Sequence, residues 1–114
     1  MILTTGEDKL VVDVRADMTN GQAGTDTTLF SRSQTGLITA VGATDLTLND
    51  KTISGSTINV THIITTSLGN GSTLAEYEVN NGTISYNRVL KNGLAKTSDD
   101  QFTFIHNFGF TVTL

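Results

Sequence analysis

Hydrophobic and polar residues alternate along the C-terminal stretch QFTFIHNFGFTVTL, the most hydrophobic part of the chain. A β-strand turns successive side chains to opposite faces, so this alternation predicts a strand with one apolar face. A single histidine interrupts that face, while small or mildly polar residues such as Thr103 and Asn107 dominate the other. The apolar row comprises Phe102, Phe104, His106, Phe108, Phe110, Val112 and Leu114.

The same period of two recurs in the middle of the chain. Residues 57–68 predict a long strand whose inward face holds Ile58, Val60, His62, Ile64 and Leu68. Turns are predicted at Asn49–Lys51 and at LGNGST, NNG and KNG, because Asn and Gly tolerate the positive φ of tight hairpins. This pattern predicts a mainly β fold: an antiparallel meander closed as a β-sandwich or small barrel. The other predicted strands are LITAV (37–41), DLTLND (45–50), TLAEYEV (73–79) and TISYNRVL (83–90).

Residues 5–18 contain the one helix that the pattern predicts. Thr5 and Asp8 resemble a capping box, and Lys9 with Asp13 forms an i,i+4 pair. The alternation of apolar residues over 10–14 also fits a strand, which leaves a second interpretation open. As a helix, the segment would present one apolar face made of Leu10, Val11, Val14 and Met18.

Residues 19–36 (TNGQAGTDTTLFSRSQTG) have three glycines and little periodicity, which is typical of a loop. We interpret this stretch as an arm or a connection; the alternative is a loop that holds a ligand. A chain of 114 residues accommodates one domain. We therefore predict a single domain, 1–114, with the helix and a Gly/Thr-rich arm in 1–36 and antiparallel strands in 37–114.

Composition narrows the class of protein. Threonine, a strand-favouring residue, makes up roughly a fifth of the chain, while proline, cysteine and tryptophan are absent. Without cysteine the chain depends on packing or association rather than on disulfides. The net charge of −4, with seven scattered Lys and Arg, argues against nucleic-acid binding. The opening MILTTGEDK does not resemble a signal peptide and no apolar run is long enough to span a membrane, so we expect synthesis in a cytoplasm.

His62 and His106 are the first candidates for chemistry, because both fall on apolar strand faces. With a carboxylate such as Glu76 they would form a minimal metal site. The alternative is that each histidine satisfies a hydrogen bond in a core or a subunit contact. No fixed metal-binding spacing or nucleophile motif occurs, so we predict no catalytic, cofactor-binding or metal-binding residue.

The charged residues of the middle strands are a second set of candidates. Glu76 and Glu78 alternate with apolar residues, which predicts the solvated face of a half-buried strand. Arg88 shares a face with apolar neighbours, which predicts an ion pair with Glu76 or Glu78, within one chain or between subunits. The alternative for Arg88 is a contact with a ligand.

The apolar row of the last strand is large for one small sheet. We therefore predict a homo-oligomer, with the flat, threonine-rich faces suited to packing between protomers. The predicted interface residues are Phe102, Phe104, His106, Phe108, Phe110 and Arg88.

The layout resembles that of small virion structural proteins of tailed bacteriophages. The likeness consists of an N-terminal TTGEDKL helix, the segment GQAGTDTTLFSRSQTGL, a Gly-Asn-Gly-Ser turn, the strands TLAEYEV and SYNRVL, and an aromatic strand after AKT. The segment lacks the proline that such proteins often carry there. The resemblance implies a non-enzymatic protein, located in the virion, that assembles on the capsid or the tail. We expect no cofactor, and from charge and hydropathy no binding to nucleic acid or membrane.

Within that class the resemblance implies two placements. A capsid decoration or cement protein would bind the head, as a trimer, with its arm bridging capsomers. A tail-associated protein would belong to a ring, an adaptor or a fibre base. A third hypothesis, from another class, is a host-surface glycan-binding β-module.

Overall fold

The computed structural model describes the backbone of residues 4–110 and the side chains of residues 9–110. One helix, seven strands and one short 3-10 turn make up the described chain. The helix is α1 (Thr4–Asp17), and the 3-10 turn is Gly42–Thr44. The strands are β1 (Asn20–Gly24), β2 (Leu46–Thr47), β3 (Asp50–Ser54), β4 (Thr57–Ile64), β5 (Thr73–Asn80), β6 (Val89–Ala95) and β7 (Phe102–Gly109).

The strands form two antiparallel sheets, in the orders β2-β1-β5-β6 and β3-β4-β7. The sheets stack as an open sandwich, which confirms the predicted fold class and selects the sandwich over the barrel. The predicted meander is wrong, because β1 pairs with β5 and β4 pairs with β7 across long stretches of sequence. The sequence pattern identifies strands, but pairing between distant strands depends on packing that the pattern does not encode.

The core lies between the two sheets and divides into two clusters. One cluster joins α1 to both sheets through Val11, Met18, Val60 and Val79, and Phe108 and Phe110 pack against it. The other surrounds Tyr77, with Ala23, Ile64 and Leu74, and Phe102 and Phe104 pack against it. The Phe104 ring lies 4.0 Å, centroid to centroid, from that of Tyr77.

The apolar row of β7 faces this core, as the alternation predicts. Phe102, Phe104 and Phe108 are half-buried, and His106 is 6% exposed. On the paired strand, Ile58, Val60, His62 and Ile64 are all buried, which confirms their predicted inward face. Val112 and Leu114 lie outside the described residues.

The predicted helix is confirmed, and Lys9 donates to Asp13 across one turn at 2.9 Å. Its buried face is narrower than predicted: Val11 is buried, but Leu10 is 51% exposed. The helix covers only one end of the sandwich, so a single stripe of side chains reaches the core. The Thr5–Asp8 capping interaction lies outside the residues whose side chains are described.

Several local predictions are wrong. The predicted arm contains β1, a strand whose glycines and alanine fit between larger neighbours. Lys91–Gly93, predicted as a turn, lies inside β6, and Asp50 and Lys51 begin β3 rather than ending a turn. Residues 37–41 contribute one isolated bridge, Gly24 with Ala40, instead of a strand. Gly69, Gly71 and Gly82 do adopt the positive φ predicted for their turns.

Candidate functional site

Glu76 and Arg88 form a buried ion pair on the outer face of the first sheet. Arg88 Nε lies 2.8 Å from Glu76 Oε1, and the two side chains are 5% and 0% exposed. The predicted ion pair is thereby confirmed, within one chain and with Glu76 as the partner. The prediction that Glu76 and Glu78 lie on a solvated face is wrong, since Glu78 is only 7% exposed.

The ion pair is buried because a segment of chain folds over it. Residues 25–41, the covering segment, cross the outer face of the sheet between β1 and the 3-10 turn. Three of the segment's backbone amides donate to the Glu76 carboxylate at 2.8–2.9 Å: those of Asp26, Ile38 and Thr39. The predicted Gly/Thr-rich arm is therefore fastened to the sheet at both of its ends.

Arg88 binds the outer part of the same segment. Its Nη1 donates to the Thr28 carbonyl at 2.8 Å and to Gln34 Oε1 at 3.3 Å, and Nη2 lies 3.6 Å from Asp26 Oδ1. Burial opposes ionisation of Glu76, but the Arg88 guanidinium and the three amides outweigh it and lower the pKa of that carboxyl. Glu76 is thus ionised at neutral pH. Partners within the chain bind both side chains, although Arg88 Nη2 is buried without a hydrogen bond.

The covering segment carries an exposed apolar tip, Leu29 and Phe30, between its two fastened ends. Leu29 is 79% exposed and Phe30 is 63% exposed, although both are large hydrophobic residues. Because the bonds to Arg88 hold Thr28 and Gln34 on either side, the tip is presented on a fastened loop. Exposed apolar side chains in such a position are a candidate contact surface.

A polar cleft of about 310 Å³ opens beside the covering segment. Glu78 reaches into its wall. Burial raises the pKa of that carboxyl and outweighs the hydrogen bonds from Ser85, the Leu37 amide and Asn80, which lower it. Amide and hydroxyl side chains share the remaining wall with Asp45 and with small or aliphatic residues, and the described lining holds no aromatic ring. The two tyrosines are engaged elsewhere: Tyr77 packs in the core and the Tyr86 hydroxyl donates to Asp17. The cleft therefore lacks the aromatic platform on which sugars usually stack.

His62 and His106 lie on paired strands, on the same inward face, but not opposite each other. His106 pairs with Val60 and His62 with Phe104, so the two imidazoles are diagonal neighbours. His62 Nε2 lies 2.9 Å from the Thr44 carbonyl, and His106 Nδ1 lies 3.0 Å from Asn87 Nδ2. The remaining ring nitrogens, His62 Nδ1 and His106 Nε2, are buried without a hydrogen-bond partner.

The minimal metal site considered for His62, His106 and Glu76 is not assembled, because Glu76 lies on the outer face of the other sheet. Over the described residues no group of three or more His, Asp or Glu side chains is arranged to hold an ion. The histidines satisfy backbone and amide partners, as the alternative interpretation proposed.

The free edge of β7 is the second candidate contact surface. Among residues 4–110 no strand pairs with the side of β7 that faces away from β4. Its eight residues, FTFIHNFG, include no Asp, Glu, Lys or Arg. The other edges carry the usual protection: β2 has two residues, β3 begins with Asp50 and Lys51, and β6 contains Lys91. A long uncharged edge strand is a template for pairing with another chain.

The predicted interface residues of β7 contact the core of their own chain, and Arg88 contacts the covering segment. Their role between subunits stays a prediction. The side of β7 left for a partner consists of its backbone edge and its outward residues, of which Ile105 is 65% exposed. That this small, threonine-rich face packs between protomers likewise stays a prediction.

Compared with protein families, curated proteins and solved structures, the chain has no match. Its only described helix is too short and too polar to cross a membrane. Inference about function therefore depends on the surfaces described above.

Sequence analysis missed the covering segment. The carboxylate of Glu76 organises three amides that lie 37–50 residues away in the chain. The predicted ion pair of Arg88 with Glu76 or Glu78 was the available signal for this contact. A buried ion pair needs further hydrogen bonds to be stable, and such bonds must come from another part of the chain. Which backbone amides supply those bonds depends on the tertiary fold.

Proposed function

We propose that this chain is a non-enzymatic structural protein of a bacteriophage virion, acting as a capsid decoration or cement protein. It works by presenting β-surfaces to copies of itself and to a capsid lattice. The resemblance of its sequence layout supports the virion, and the free edge of β7 carries the proposal of self-association. Copies of the chain pair through this edge, and the expected trimer needs a second contact between subunits, because pairing of β7 with β7 is two-fold and closes at two copies.

The apolar tip of the covering segment is the surface proposed to contact the capsid. Leu29 and Phe30 project from a loop that the buried Glu76–Arg88 pair keeps in place. A loop with fixed geometry loses less conformational entropy on binding than a mobile arm of the same length. The tip thereby combines exposed apolar area with a defined position.

Mixing the purified protein with expanded capsids from the phage that encodes it, prepared without this protein, tests the proposal. We expect saturable co-sedimentation with capsids, and loss of binding in the double variant Leu29→Ser/Phe30→Ser. Leu10→Ser is the matched control, because Leu10 is also exposed, at 51%, but lies on α1 rather than on the covering segment.

The alternative placement, in the tail, predicts a different result in the capsid-binding experiment and in antibody labelling of complete virions. Gold-labelled antibody against this protein would then mark the tail of complete virions, and expanded capsids without tails would bind none of it. Absence of the protein from heads and tails alike would contradict the virion proposal as a whole.

A further inference from the structure

The histidine pair, His62 and His106, has its tautomers dictated by its neighbours. Asn87 Oδ1 accepts a hydrogen bond from the Val79 backbone amide at 2.7 Å, which fixes the orientation of the Asn87 amide. Its Nδ2 therefore donates to His106 Nδ1. Since Nδ1 of His106 accepts, the ring proton of neutral His106 must lie on Nε2.

The same reasoning fixes the second ring. The Thr44 carbonyl can only accept a hydrogen bond, so His62 Nε2 carries the proton and donates to it. Nδ1 of His62 is then an acceptor with a free lone pair. The two unpartnered buried nitrogens are consequently complementary: a donor on His106 and an acceptor on His62, on the same inward face.

We propose that the histidine pair is a proton-sensitive connection between the two sheets, which opens the sandwich between β6 and β7 on acidification. Only the doubly neutral state suits the surroundings. A proton on His62 Nδ1 would leave a buried, charged N–H group without an acceptor. A proton on His106 Nδ1 would oppose the Asn87 amide, which cannot turn without releasing the Val79 amide.

The location of the pair determines what opens. Asn87 belongs to the segment between β5 and β6, whereas His106 belongs to β7 in the other sheet, so their hydrogen bond joins the sheets. A cleft of about 360 Å³ already lies at this side of the sandwich, lined by Tyr77, Asn87, Phe104 and His106 among others. Loss of the bond would widen this cleft and expose the aromatic side chains beneath it.

The environment of both rings favours the neutral form. Burial lowers the pKa of His62, opposed by its bond to Thr44 and by the charge of Asp45. Burial, followed by repulsion from the positive charge of a protonated His62, lowers the pKa of His106 to about 4. Other titratable groups on the inward elements around the pair are Tyr77 of β5, Lys91 of β6, and Lys51 of β3, whose Nζ donates to the Met18 carbonyl.

The direction of the pH effect follows from these shifts. Unfolded histidine takes up a proton near pH 6.5, whereas the folded pair excludes it. The stabilisation by the pair is fully present above pH 6.5 and is lost as the pH falls from 6.5 towards 4. Opening is therefore expected in the lower part of that window.

Two measurements on the unmodified protein test the proposal. Long-range ¹⁵N–¹H NMR of the imidazoles is expected to show both rings neutral and protonated at Nε2 at pH 7. On acidification, an apolar dye such as 8-anilinonaphthalene-1-sulfonate should begin to bind while the far-ultraviolet circular dichroism is kept. A ring protonated at Nδ1 at pH 7, or a histidine that titrates near 6.5 with no dye binding, would overturn the proposal.

A variant separates the connection from general acid sensitivity. In Asn87→Asp one carboxylate oxygen still accepts a hydrogen bond from the Val79 amide. The other oxygen accepts a hydrogen bond from His106 Nδ1 when that nitrogen carries a proton. Protonated His106 then fits its neighbours, so its pKa should rise and dye binding should move to lower pH. Unchanged dye binding in a folded Asn87→Asp protein would overturn the proposal; the NMR measurement decides it if the variant does not fold.

Discussion

Replacing Glu76 with glutamine removes the negative charge beneath the covering segment and keeps the size of the side chain. The carboxylate accepts four hydrogen bonds: Oε1 from Arg88 and Ile38, and Oε2 from Asp26 and Thr39. Glutamine can keep the bonds on one oxygen. Its amide nitrogen would face two N–H groups in place of the other oxygen, and the Arg88 guanidinium would remain buried without a counter-charge.

The structure sets the size of the effect. Removing one partner of a buried ion pair costs about 3–5 kcal/mol, and the two opposed amides add to that cost. A domain of this length has a free energy of unfolding of roughly 5–15 kcal/mol, so the loss is a large fraction of the total. The corresponding decrease in Tm is about 10 °C or more.

Urea denaturation followed by circular dichroism measures this loss, and hydrogen exchange locates it. We expect the amides of Asp26, Ile38 and Thr39 to lose protection in Glu76→Gln before those of β4 and β7. Glu78→Gln is the matched control, two residues along the same face. Because burial raises the pKa of Glu78, a neutral amide there should change the free energy of unfolding by about 1 kcal/mol or less. A cost below about 1 kcal/mol for Glu76→Gln, or equal costs for both variants, would refute the reasoning.

Other predictions concern close contacts in the two sheets. Gly21→Ala would place a Cβ 2.4 Å from His62 Cγ and should cost about 1–3 kcal/mol in urea denaturation, whereas Gly42→Ala, with nothing within 4 Å, should cost less than about 1 kcal/mol. Gly24→Ala would place a Cβ 2.3 Å from the Thr39 carbonyl oxygen; we expect proteolysis within residues 25–39 to accelerate, and unchanged cleavage would contradict the close approach.

The parts of the fold that the sequence predicts are those governed by local periodicity. The inward faces of β4 and β7 follow from alternation, because a half-buried strand must place its apolar side chains on one side. The glycine turns follow from positive φ. β1 was not predicted because Asn-Gly-Gln-Ala-Gly has low strand propensity. In the folded sandwich Gly21 lies directly against His62, where a larger side chain would not fit.

The candidate site likewise has features that the sequence predicts and features that depend on the tertiary fold. The Glu76–Arg88 pair was predictable, since an arginine beside apolar residues on a strand needs a carboxylate within reach. Burial of Glu76 and Glu78 was not predictable, because the alternation along β5 indicates one solvent-exposed face. In the structure the covering segment lies over that face, and the sequence of this segment has no periodicity that would predict the contact. The tautomers of His62 and His106 depend on Asn87 and Thr44, which are distant in sequence.

Sedimentation velocity tests self-association through the free edge of β7 most directly. Antiparallel pairing of β7 with its copy would bring Ile105, near the middle of the strand, close to the Ile105 of the partner, so Ile105→Lys would oppose two like charges. We expect the unmodified protein and the control Ile84→Lys to associate as concentration rises through the micromolar range. Ile84 is 57% exposed, against 65% for Ile105, and lies away from this edge. Ile105→Lys should remain a monomer. A monomeric unmodified protein over that range, or association of Ile105→Lys like that of the control, would contradict the account.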